Sequence, residues 1–326
     1  MEKIMKAIIY TKYGSSDVLQ YTDCEKPVPG DDQVLVRIHA TSLNSADLRS
    51  MHGRPLLFRP MWGFPRPNKP ILGGDLAGIV EAVGRNVTQF KPGDEVFGDN
   101  FDDGMGAFAE YAAVPAKNLL LKPANLTFEE AAAVPLAGGT ALRSLRRVGN
   151  LQAGQKVLIN GASGGVGTYA LQIAKALGGE VTAVVSTRNV EQAQALGADH
   201  VIDYKKEDFA QSSQHYDLIL GVNGNRHFRD YKRCLTDNGT YVMVGGTNKQ
   251  IFSAVLLGSL ASRGGKTITT TPAEPDIDDL VFLKELIETG KVKPVIDRRY
   301  PLSETADAMR YMESGHASSK VVINVL

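Results

Sequence analysis

The chain has 326 residues, 43% hydrophobic and 22% charged, and its 36 lysines and arginines balance 36 aspartates and glutamates to a formal net charge of zero. That is enough chain for two domains with buried cores, and a balanced charge with no long run of one sign argues against nucleic acid or an anionic membrane surface as partner. With only Cys24 and Cys234, far apart and outside any Cys-x-x-Cys pair, neither a disulfide framework nor a cysteine-based structural zinc site is expected.

The N-terminal MEKIMKAIIYTKYG enters strand-like alternation without the apolar core and cleavage site of a secretory signal. The longest apolar stretches, such as residues 251–260, fall short of a membrane span, so a cytoplasmic address is expected. Roughly the first 120 residues read as β-rich: DQVLVRIHATSL alternates, ILGGDLAGIVEAVG is extended and glycine-broken, and MGAFAEYAAVPAKNLLLKP resumes after a turn. Between them, Pro55, Pro60, Pro65, Pro67 and Pro70 exclude a helix or inner strand and predict a loop over 54–70.

Thr127 with Glu130 forms a capping-box pattern opening EEAAAV, which Pro135 is expected to interrupt before a second helical run at Gly139. Strands and helices then alternate: KVLING, VGTYALQIAKALG, EVTAVVS, VEQAQALG, HVIDY, YDLILGV, a helix, TYVMVGG, a helix and TITTT. Apolar strands separated by helices predict a parallel sheet covered on both faces, a doubly wound α/β domain. After the helix DIDDLVFLKELIETG come a strand, the helix ETADAMRYMESG and the strand KVVINVL, which break the alternation, so the chain is expected to return to its first domain. The expected division is 1–124, 125–290 and 291–326.

NGASGGVG follows the strand KVLIN and opens a helix, placing Gly161, Ser163, Gly164, Gly165, Val166 and Gly167 at a bend. Such a bend lets backbone approach a pyrophosphate, whose charge the helix N-terminus favours; a tight turn using glycine for its dihedrals alone is the other reading. An NAD site places an acid at the end of the second strand, but here EVTAVV runs into Ser186, Thr187 and Arg188, with Glu180 at the wrong end. Two hydroxyls and a guanidinium suit a 2′-phosphate, so NADP(H) is expected. A solvated surface charge is the alternative for Arg188, although Asn189 and Gln192 look like the cap of the next helix, where a lone cation is disfavoured. Tyr204 packs against the same adenosine end or is a plain rim tyrosine.

These motifs resemble a family. EAVGRNVTQFKPGDEVFG, PLAGGTAL, NGASGGVG and SSKVVINV, in that order, are similar to the medium-chain dehydrogenase/reductases along essentially the whole chain. The resemblance implies a GroES-like β-rich catalytic domain built from both chain ends, with a doubly wound Rossmann cofactor domain inserted. Zinc-dependent members hold a catalytic metal at positions matching Asn44, Gly74 and Leu136, none of them a suitable ligand, and GDNFDDGMG lacks a four-cysteine lobe. No metal is therefore expected. The chain resembles the zinc-free quinone oxidoreductase branch, which implies NADPH-dependent reduction of quinones or α,β-unsaturated carbonyls. An NADPH-binding sensor or structural protein with little turnover, and an alcohol dehydrogenase-type carbonyl reductase, are the alternatives.

By the same resemblance Asn44 lies against the nicotinamide ribose or the acceptor oxygen, and Thr140 against the nicotinamide; a turn-closing Asn and a Thr in a helix's first turn are their structural readings. Val244, Gly245 and Gly246 end a strand at the carboxyl edge where such folds bind ligands. Lys320 and Asp47 also match family motif positions, the latter explained equally by a proton relay or a buried salt bridge. Phe58, Trp62 and Phe64 of the proline-rich loop either stack on a planar acceptor or anchor the loop. The apolar segment 251–271 is the expected contact with a second copy.

Overall fold

The computed structural model describes residues 3–56, 59–222, 226–246, 265–272 and 276–326. In chain order its strands are β1 (Ile4–Ile9), β2 (Gln20–Glu25), β3 (Gln33–Ser42), β4 (Asp75–Val83), β5 (Glu95–Asp99), β6 (Tyr111–Pro115), β7 (Leu119–Leu121), β8 (Lys156–Asn160), β9 (Glu180–Val185), β10 (His200–Asp203), β11 (Tyr216–Gly221), β12 (Leu235–Met243), β13 (Thr267–Thr270), β14 (Ile296–Pro301) and β15 (Lys320–Asn324). They fall into two units: Met1–Leu136 with Pro294–Leu326, and Ala137–Lys293.

In the first unit β3 is the organiser. Val34, Val36 and Ile38 alternate along it and bury the same face with Leu76, Val80 and Val96, as period-2 β-branched patterning requires. Both edges of β3 are used, because the sheet order is β14-β15-β3-β4-β5-β7 with β6 pairing β3 as well. β15 lies antiparallel to β3, Val322 opposite Ser42, so the last strand completes a sheet begun by the third. β1 and β2 form a separate antiparallel pair.

The second unit is a six-stranded parallel sheet of order β10-β9-β8-β11-β12-β13. Val157–Asn160 and Val181–Val185 are continuously buried, the signature of strands covered on both faces. Chain order reverses between β8 and β11, which makes their carboxyl ends the topological switch point of the sheet. Helix Ile277–Glu288 packs so closely on helix Pro135–Arg143 that a Cβ on Gly138 would lie 2.3 Å from Leu283 Cδ2. The buried ion pair Arg143–Asp279, 3.2 Å, joins the same two helices.

Three expectations shift. The first unit extends to Leu136 instead of ending at 124, because Phe128 stacks on His39 with ring centroids 4.3 Å apart and Glu129 pairs with Arg299 at 2.6 Å. The second runs to Lys293 instead of 290, since Gln172 takes both the Lys293 N–H (2.9 Å) and its carbonyl (3.0 Å). Pro135 opens a helix instead of interrupting one, and Pro60 sits in the short helix Arg59–Trp62 within the expected loop. Both prolines occupy first-turn positions, where the missing N–H costs no intrahelical bond.

Candidate active site

At the carboxyl edge of the second unit, β8 ends at Asn160, Gly161 turns the chain at φ +92°, and helix Gly165–Ala176 begins behind Gly164. Gly167 and Gly164 meet different demands. A Cβ on Gly167 would lie 2.1 Å from Gly161 O and 2.7 Å from Ala162 C, so the helix rests directly on the bend. A Cβ on Gly164 meets nothing nearer than 3.7 Å, and its φ of −76° suits any residue. The protein's own packing leaves Gly164 free to carry a side chain, whereas a ligand approaching the backbone would exclude one. No side chain caps this helix, so its first-turn N–H groups remain available to an anion. The bend therefore fits a dinucleotide pyrophosphate, with Ser163, Gly165 and Val166 on the same turn.

The neighbouring strand ends are stitched to the bend. Val222 N–H donates to Asn160 O (3.0 Å), and the N–H groups of Val244 and Gly245 donate to Gly221 O at 3.0 and 3.2 Å. Gly245 is pressed against Val222, whose carbonyl oxygen would lie 2.5 Å from an added Cβ. Val244, Gly245 and Gly246 thus sit at the switch-point edge, half-buried. Thr140 is half-buried in the middle of helix Pro135–Arg143, not in its first turn, and its carbonyl accepts from Ser144 Oγ at 2.6 Å.

At the end of β9, Ser186 is buried while Thr187 and Arg188 are exposed. Asn189 does not cap the following helix; its Nδ2 donates to Ser186 Oγ at 3.2 Å instead. Tyr204 is 57% exposed beside them, its N–H donating to Val185 O. Sequence reasoning missed Asp203, which accepts from Thr187 Oγ1 at 2.7 Å and whose carboxyl that bond, above all, holds below the usual range.

The first unit carries a different constellation. Asn44 precedes helix Ser45–His52, and its backbone N–H donates to Asp47 Oδ2 at 2.8 Å, while Gly73 N–H donates to Asp47 Oδ1 at 3.2 Å. Asp75, at the start of β4, is fully buried and accepts four bonds: Ser42 Oγ (2.7 Å), Asn44 Nδ2 (2.9 Å), Lys320 Nζ (3.1 Å) and Leu136 N–H (2.8 Å). The Lys320 ammonium, 2% exposed, also reaches Asn44 Oδ1 at 2.6 Å and Leu43 O at 3.1 Å. Both ends of the Asn44 amide are thereby held. Burial pushes the Asp47 carboxyl up to about 7, and burial followed by the charge of Asp75 pushes Asp99 up to about 8. One buried cation among three acids leaves room for protons.

None of the three positions that hold metal in zinc-dependent relatives offers a free donor here. Asn44 is committed at both ends; a Cβ on Gly74 would lie 2.8 Å from Asp99 Oδ1 and from Phe101 Cβ; Leu136 contributes only its N–H, to Asp75. The ammonium of Lys320 already supplies positive charge at this spot, so the residues do not fit a zinc ion. In the proline-rich loop, Tyr13 Oη donates to Gly63 O at 2.7 Å and Phe64 is 76% exposed; Phe58 lies outside the described residues, as does residues 251–264 of the expected subunit contact. Among the described residues no helix is long and apolar enough to cross a membrane.

Two family models match the chain, the alcohol dehydrogenase GroES-like domain over residues 30–124 and the zinc-binding dehydrogenase over 196–323. It is 38% identical to a 2-methylene-furan-3-one reductase of Solanum lycopersicum, across 98% of this chain and 79% of that protein. It is 36% identical to an NADPH-dependent alkenal/one oxidoreductase, chloroplastic, of Arabidopsis thaliana, across 98% of this chain and 80% of that one. The solved structure of the quinone oxidoreductase from Coxiella burnetii superposes with a TM-score of 0.89 at 31% identity, covering 99% of this chain and all of that one.

Proposed function

Since the chain belongs to the medium-chain dehydrogenase/reductase superfamily, in its quinone oxidoreductase branch, we propose that it reduces quinones or α,β-unsaturated carbonyls with NADPH and without a metal. The observation that carries this reading is the Asn44–Asp75–Lys320 network. It commits Asn44, the first of the three positions matched to metal ligands, to a protein cation and its carboxylate. Oxidising an alcohol calls for a metal or a general base to lower the pKa of its hydroxyl or take its proton, whereas a conjugated acceptor delocalises incoming negative charge by itself. The names of the Solanum and Arabidopsis relatives support the acceptor class, and the latter's name supports NADPH.

The residues divide the work. The bend from Gly161 to Gly167 receives the pyrophosphate, its uncapped helix N-terminus countering the charge. Ser186 and Arg188 receive the 2′-phosphate, the guanidinium through parallel charge-assisted bonds. Thr140, Val244, Gly245 and Gly246 border the nicotinamide end. Bound there, NADPH supplies the hydride. Asn44, held at both ends of its amide by Lys320 and Asp75, is the residue of the first unit assigned to the acceptor oxygen.

The test is a panel of quinones, enones and simple alcohols, followed by NADPH or NADP absorbance, with elemental analysis of the same preparation. Acceptor-dependent NADPH oxidation by protein free of zinc is expected. Tight NADPH binding without turnover on any acceptor would favour a sensor, and activity lost to a chelator and restored by zinc would overturn the metal-free assignment.

A further inference from the structure

We propose that Asp203, reaching from the end of β10, supplies through the Thr187 hydroxyl the acid that the end of β9 lacks, so that this turn accepts a ribose 2′-hydroxyl as well as a 2′-phosphate. The inference rests on reading Ser186–Arg188 as the adenosine-ribose end of a cofactor site. β9 and β10 are parallel neighbours with Asp203 opposite Val185, which brings the carboxylate beside the residues that follow β9. Asp203 is 6% exposed. Its Oδ2 accepts from Thr187 Oγ1 at 2.7 Å and lies 3.6 Å from Lys206 Nζ; its Oδ1 accepts from Lys205 N–H at 3.1 Å.

An ionised carboxylate only accepts hydrogen bonds, so the single proton of the Thr187 hydroxyl is committed to it. What Thr187 has left is acceptor capacity, and the residue is exposed. A ribose 2′-hydroxyl has a proton to give to that oxygen, and a phosphate dianion has none. Ser186 is the opposite case. Its oxygen accepts from Asn189 Nδ2, leaving its own proton to donate to a phosphate alongside Arg188. One turn therefore holds two matched sets: Asp203 with Thr187 for the hydroxyl, Ser186 with Arg188 for the phosphate. The charge of Asp203 acts against the phosphate, moderated by Lys206.

Calorimetric titration of the full chain with adenosine 5′-monophosphate and with adenosine 2′,5′-bisphosphate isolates this end, because neither fragment carries the nicotinamide. In Asp203→Asn the new amide can donate to Thr187, freeing its proton, and a negative charge is gone. The bisphosphate should bind about 3–10-fold tighter and the monophosphate about 2–5-fold weaker, the range of one exchanged hydrogen bond. Thr187→Val, on the exposed turn, should weaken the monophosphate by a similar factor and leave the bisphosphate within about twofold. Equal weakening of both fragments in Asp203→Asn, in protein with an unchanged melting curve, would make Asp203 a mere brace for the turn and overturn the proposal. A wild-type preference for the monophosphate would instead sink the NADPH assignment, while the direction of the Asp203→Asn shift would still judge the relay.

Discussion

The polar groups around Asp75 answer one another: four donors converge on one carboxylate, and the ammonium of Lys320 completes its own shell with Leu43 O and Asn44 Oδ1. Around Gly161–Gly167 the opposite holds, since the helix start is uncapped and Gly164 carries no side chain where the fold leaves space for one. A closed set of charges makes a scaffold whose worth is measured in stability. An open set leaves room for a ligand, and its worth on the proposed function is measured in affinity.

The sharpest way to break that contrast is to open the closed set. Lys320→Met leaves Asp75 buried without its counter-ion and should cost about 3–5 kcal/mol in urea unfolding. A loss below about 1 kcal/mol, the level of an exposed pair, would show that the cluster is not closed. On the receptor side the two glycines should separate. Gly167→Ala forces a methyl against Gly161 O and should cost about 1–3 kcal/mol as well as NADPH affinity. Gly164→Ala should stay within about 1 kcal/mol in stability, the scale of a cap substitution, yet lose about tenfold in NADPH affinity. Equal stability losses would remove the distinction.

A subtler probe uses protons. The Asp99 carboxyl is raised from an ordinary 3.8 to about 8, so the folded state holds an extra proton between those values. That contribution to stability is fully present at low pH and is lost as pH rises through about 8. Asp99→Asn should flatten the fall in stability between pH 5 and pH 8 by up to the slope of one proton, about 1.4 kcal/mol per pH unit. Melting temperatures across that window read it directly, and an unchanged slope would place the titration elsewhere. On the same scale as the affinity loss of Gly164→Ala is Arg188→Ala, which should raise the Michaelis constant for NADPH about tenfold and leave that for NADH within about twofold. Parallel changes would show that Arg188 does not read the 2′ position.

The glycine bend was legible in the sequence because it is local: strand, bend and helix are contiguous, and their order is itself the signal. The scaffold was only half legible. Asn44, Asp47 and Lys320 were singled out, but the acid that joins Asn44 to Lys320, Asp75, lies 245 residues from its lysine, and only the sheet brings them together. A clue was present in GGDLAGIV and KVVINV, where one acid and one base each stand at the head of an apolar strand and demand a partner. Asp203 escaped for a related reason, since the acid was sought at the end of β9 and the parallel pairing delivers one from β10. Pro60 and Pro135 misled because a proline that breaks a helix from within also starts one.

The pairing of β15 with β3 sets a timetable for the nascent chain. Residues emerge in order, so the parallel sheet, complete between residues 156 and 270, can assemble while the tail is still being made. The other sheet has to wait. Until residues 320–324 appear, the Ala40–Ser42 end of β3 lacks its neighbour and Asp75 lacks its lysine, leaving a half-built first unit exposed to aberrant strand pairing during synthesis.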